Sequence, residues 1–124
     1  MQIKEIMNKA IAADFDMSLK EAAKIMSQKN IGSLIVMKQG DILGIVTKKD
    51  IINNINDTGK KISSVMSKDV ITIEESQDIN NAAELMAKNK IKRLPVMKNG
   101  ELVGIITSTD LIAHSDELDE EFLF

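Results

Sequence analysis

The 124-residue sequence has no cysteine, tryptophan or tyrosine, one proline, one histidine and three phenylalanines. Without cysteine there is no disulfide framework, no thiolate zinc or iron–sulfur site and no thiol nucleophile. The lone histidine, His114, has no partner at metal-ligand spacing and reads as a surface residue, so no metal ligand is assigned. Aromatic residues make up 2% of the chain, which removes base-stacking platforms, and the formal charge of −3 counts against a nucleic-acid footprint. No apolar run approaches the roughly 20 residues that span a bilayer. The opening MQIKEIMNKA lacks the basic and apolar regions of a signal peptide. A cytoplasmic protein with no membrane association is expected. Neither a P-loop nor a glycine-rich dinucleotide fingerprint occurs, so no catalytic residue is assigned and an enzyme is not expected.

What the chain does have is 44% hydrophobic residues, 28% charged residues and an internal repeat. Residues 36–52 (VMKQGDILGIVTKKDII) match residues 96–112 (VMKNGELVGIITSTDLI) at an offset of 60, with nine of 17 positions identical. Upstream, LKEAAKIMSQKNI (19–31) aligns with INNAAELMAKNKI (79–91). After a one-residue slip, EIMNKAIAAD (5–14) aligns with SVMSKDVITIE (64–74).

Each copy reads as strand, helix, strand, strand, helix. The short apolar or β-branched runs Ile11–Ala13 and Val70–Ile73 are expected strands. Leu19, Ala22, Ala23 and Met26, like Ile79, Ala82, Ala83 and Met86, fall at i, i+3, i+4 and i+7 of a helix. Ser18 with Glu21 has capping-box spacing, and Asp78 is a candidate N-cap. Leu34–Met37 with Ile42–Thr47, and Leu94–Met97 with Leu102–Thr107, are expected hairpins turning at Gln39-Gly40 and Asn99-Gly100. Pro95 is expected at a strand start. Short helices follow at Lys48–Asn54 and Ser108–Ala113, with Ile51, Ile52, Ile55, Leu111 and Ile112 as candidate exposed interface residues. The matched methionines read as adaptable packing.

A unit of about 55 residues buries little apolar surface alone. The expected fold is therefore α+β, with two tandem β-α-β-β-α repeats packed through their sheets with pseudo-twofold symmetry. The domains are residues 1–56 and 62–114, joined by linker 57–61 within the polar run Asn53–Lys61. The acidic tail 115–124 ends in Phe122, Leu123 and Phe124, and is either solvated or an anchor for a partner.

The doubled pattern, M-(S/N)-K, then A-A-x-x-M, then V-M-x-x-G and G-I-(V/I)-T-x-x-D, resembles the cystathionine β-synthase (CBS) domain, duplicated as in a Bateman module. The resemblance covers residues 3–114. It implies a regulatory sensor that binds AMP, ADP, ATP or S-adenosylmethionine as its ligand, with no required cofactor. The signal would pass through a homodimer or to an effector protein. The alternative is a ligand-free scaffold that dimerises or docks on an effector. The resemblance also assigns ribose contacts to Asp50 and Asp110, with Thr47 and Thr107 beside them. One cleft would join Thr47 and Asp50 to Ile71, Lys92 and Arg93, the last two holding phosphate. The other would join Thr107 and Asp110 to Ile11, Gly32 and Ser33, and lacks a basic pair. Read as residues alone, Thr-x-x-Asp is equally a helix-capping box that needs no ligand, Lys92-Arg93 a solvated basic pair, and Ile11 and Ile71 plain core.

Overall fold

A computed structural model describes residues 1–122, so Leu123 and Phe124 of the tail cluster lie outside the described residues. The chain forms two compact units, one of residues 11–70 and one of residues 1–10 with 71–124. Each unit holds a three-stranded sheet, and the class is α+β as expected.

In the unit of residues 11–70, β1 (Ala12–Asp14) lies parallel to β2 (Ser33–Lys38), which pairs antiparallel with β3 (Asp41–Thr47). Helix α1 (Leu19–Lys29) connects the parallel pair, and α2 (Lys48–Asn53) follows β3. The 19/22/26 stripe buries Leu19, Ala22 and Met26 against Leu34, Val36 and Val46 of the sheet. At the start of α1 the Glu21 amide donates to Ser18 Oγ at 3.1 Å, satisfying one of the helix's unpaired amides.

The second unit repeats the order, with β4 (Ile73–Glu74), α3 (Ile79–Asn89), β5 (Arg93–Lys98), β6 (Glu101–Thr107) and α4 (Ser108–Ala113). Ile79, Ala82, Ala83 and Met86 pack with Leu94, Val96 and Ile106, and Ile3 from the chain start completes this core without exposure. Both hairpins place their turn pairs at positive φ, Gln39 at 51° with Gly40 at 84°, and Asn99 at 50° with Gly100 at 79°. Gln39 therefore accepts the same left-handed geometry as Asn99, because the tight two-residue turn demands it.

Three sequence expectations change. The strand expected over Val70–Ile73 shrinks to Ile73–Glu74. In the first unit the Ile35 amide donates to the Ile11 carbonyl at 3.0 Å, but the matched residue is Pro95, which has no N–H to offer Ile71. Pro95 itself lies inside β5, opposite Ile105, not at the strand start. The helix-face isoleucines also divide: Ile51 (8%) and Leu111 (5%) are buried in the cores, whereas Ile52 (68%), Ile55 (64%) and Ile112 (72%) face outward. On helices this short, adjacent residues point about 100° apart, so a pair such as 51–52 cannot share one face.

The tail is ordered over its described part. Ser115–Glu117 and Glu120–Phe122 form 3-10 turns, and Leu118 and Phe122 pack against the core of their own unit. The Asp119 amide donates to Asn80 Oδ1 at 2.9 Å, tying the tail to the start of α3.

Candidate functional site

Each Thr-x-x-Asp segment sits where a hairpin strand turns into a short helix. Thr47 is the N-cap of α2: its backbone N–H donates to Asp50 Oδ2 at 2.8 Å, its hydroxyl donates to the same oxygen at 3.2 Å, and the Asp50 amide returns a bond to Thr47 Oγ1 at 3.4 Å. Thr107 repeats the arrangement on α4, with bonds to Asp110 Oδ2 of 2.8 and 2.9 Å and a return bond of 3.3 Å. The capping reading is therefore correct at both places. The caps also lock each carboxylate, half-buried, in one orientation at the end of its strand. Among the described residues no donor reaches Asp50 Oδ1.

The strands bring the other candidates beside these boxes within each unit. Ser33 is buried and paired with Thr47, and the Gly32 carbonyl accepts from the Lys48 amide at 3.2 Å. Arg93 pairs with Thr107, and the Lys92 carbonyl accepts from the Ser108 amide at 2.8 Å. Antiparallel pairing of the strands just before each helix fixes this neighbourhood, so Arg93 is the within-unit neighbour of Thr107. Lys92 is exposed and Arg93 half-buried. Ile11 and Ile71 are half-buried against the cores of their own units. A hollow of about 350 Å³ between α1 and α2, and one of about 590 Å³ beside α3 and α4, are lined by neither Thr-x-x-Asp pair.

One participant is absent from the sequence reading. The Asn8 side-chain amide donates to both carboxylate oxygens of Asp110, at 2.9 and 2.8 Å. Asn8 reaches it because its backbone bridges Ile105 in β6, with bonds of 2.8 and 2.9 Å. The glycine of G-h-h-T makes that approach possible: a Cβ on Gly104 would lie 2.8 Å from the Asn8 carbonyl oxygen and 2.8 Å from Met7 Sδ. The signal was available in the repeat, where Asn8 aligns with Ser67, but a residue about a hundred positions from its partner carries no local pattern.

Comparison with known proteins places these features in a family. The CBS-domain family model matches residues 3–57 and 62–117. The CBS domain pair of protein MJ0100, solved in complex with 5′-methylthioadenosine and S-adenosyl-L-methionine, superposes with a TM-score of 0.86 at 33% identity, covering 94% of this chain and 96% of that one. The CBS domain-containing protein YhcV of Bacillus subtilis is 34% identical over 98 residues, 76% of this chain and 70% of its own length. An inosine-5′-monophosphate dehydrogenase of Thermoplasma acidophilum is 41% identical over 95 residues. The chain spans 19% of that dehydrogenase and 32% of an uncharacterised Methanocaldococcus jannaschii relative, MJ1232.

Proposed function

Because the chain belongs to the CBS-domain family, with two such domains in tandem, we propose that it is a regulatory module that binds an adenosine-type ligand and carries out no catalysis of its own. The observation that carries this reading is the likeness, at 33% identity over 94% of the chain, to a CBS pair holding two adenosine derivatives. The paired Thr-x-x-Asp boxes support it chemically. A carboxylate already held by two bonds from its capping threonine loses little freedom on binding, and a carboxylate can accept both hydroxyls of a ribose diol.

In this proposal Asp50 and Asp110 take the ribose hydroxyls, with Thr47 and Thr107 holding them. Lys92 and Arg93 serve a phosphate-bearing ligand, Arg93 through its planar fork of donors. Ile11 and Ile71 offer apolar surface to the adenine, and Gly32 and Ser33 line the less basic position. AMP, ADP, ATP and S-adenosylmethionine are the candidate ligands. The bound state would be passed to a partner protein or through a homodimer, for which the outward Ile52, Ile55 and Ile112 provide apolar surface. Those same residues favour the second reading, a scaffold that associates without ligand.

A thermal-shift panel of the four ligands separates the two. A ligand that binds only the folded state adds RT ln(1 + [L]/Kd), about 2.7 kcal/mol at a hundredfold excess over Kd. At least one member should raise the unfolding midpoint by several degrees, and Arg93→Ala should reduce the response to phosphorylated members selectively. A well-folded, ligand-stripped protein whose midpoint none of them moves is a scaffold.

A further inference from the structure

The two copies are a natural experiment on one side chain. The arm Met66-Ser67 docks on β3 as Met7-Asn8 docks on β6. Ser67 and Ile45 exchange backbone hydrogen bonds of 2.9 and 3.0 Å, just as Asn8 and Ile105 exchange bonds of 2.8 and 2.9 Å. A glycine lies beneath each arm, Gly44 or Gly104. With backbone and cap alike, the difference falls on the arm residue, an amide in one unit and a short hydroxyl in the other.

The consequence appears at the carboxylates. Asp110 accepts two bonds from Thr107, both on Oδ2, and the Asn8 amide nitrogen reaches both of its oxygens, so a protein donor already sits on Oδ1. Asp50 accepts two bonds from Thr47, both on Oδ2. No bond from Ser67 to Asp50 occurs among the described residues, and Oδ1 stays open.

We infer that Asn8 is a specificity-determining residue that occupies Asp110 in place of a ligand hydroxyl and so makes the two copies unequal: a vicinal diol binds Asp50 directly, but must displace the Asn8 amide to reach Asp110. This rests on the reading that both aspartates bind ribose. Exchanging a hydrogen bond to a charged group for another cancels much of its gain, so the handicap at Asp110 is about tenfold in affinity. Arm residue 8 thereby sets the order in which the two positions fill, with Asp50 first.

Isothermal titration with 5′-methylthioadenosine tests this in the Asp50→Ala background, where only Asp110 remains. Asn8→Ser, which installs the residue of the matched arm, should tighten binding about tenfold, and Asn8→Ala should do the same. Having both variants guards against a local folding defect in either. In a chain with Asp50 intact, Ser67→Asn should weaken the tighter binding event. Affinity in the Asp50→Ala background that is unchanged or lowered by both Asn8 variants overturns the inference, while binding as such leaves the ribose reading standing. No binding by the unsubstituted protein or any variant overturns both.

Discussion

Thr47 and Thr107 each close a capping box, and the geometry that satisfies the helix also presents a fixed carboxylate. Cap and ligand roles are thus compatible at one residue pair. The Thr-x-x-Asp spacing was legible because capping is local, confined to four consecutive residues. Asn8 was not legible, since its partner is set by tertiary docking of an arm whose backbone, not its side-chain pattern, does the pairing. The glycines of the two G-h-h-T segments are explained by the same docking: a Cβ at Gly44 would meet Met66 Sδ at 2.5 Å and the Ser67 carbonyl oxygen at 2.6 Å. A backbone oxygen cannot step aside as a side chain can. Gly104→Ala and Gly44→Ala should each destabilise the protein by about 1–3 kcal/mol, the range of overpacked interiors. Equilibrium denaturation measures this, and wild-type stability in both variants would refute the close approach.

At the scale of elements, the helices and hairpins followed from periodicity and turn chemistry, and their ends from caps. The parallel edge strands did not, because their length depends on whether a neighbour can donate, as the contrast between Ile35 and Pro95 shows. The cap of α3 has a pH signature. The Asn80 amide donates to Asp78 Oδ2 at 2.9 Å, and this bond above all holds the Asp78 carboxyl below its ordinary 3.8. A carboxylate with a lowered folded pKa stabilises at neutral pH and loses that contribution as pH falls through the folded value. Asp78→Ala should cost about 1 kcal/mol at pH 7, typical of a lost N-cap, and the difference from wild type should shrink on acidification below the usual carboxylate range. Denaturation curves at neutral and acid pH would show it; a difference that is constant with pH assigns the cost to something other than the charged cap.

For the whole molecule, the repeat boundaries and the compact units do not coincide. The family model matches residues 3–57 and 62–117, whereas the first ten residues fold with 71–124. Ile3 is fully buried in that unit's core, and its amide donates to the Gln77 carbonyl at 2.9 Å. The duplication was legible as an offset of 60, but which arm packs on which sheet is long-range and leaves no periodic trace. A fragment of residues 62–124 is a complete repeat by sequence yet lacks the arm. It should show a weak or uncooperative thermal transition by circular dichroism, where the full chain melts cooperatively. A fragment as stable as the whole would show that the arm is dispensable.

Adenosine-ligand binding through the two aspartates is the property on which the proposed regulatory role depends. Equilibrium dialysis of radiolabelled 5′-methylthioadenosine against the ligand-stripped protein and against the Asp50→Ala/Asp110→Ala double variant measures it. Saturable binding by the protein, lost in a double variant that keeps its circular dichroism spectrum, is the predicted result; no saturable binding by the folded protein, or equal binding by the double variant, would contradict it.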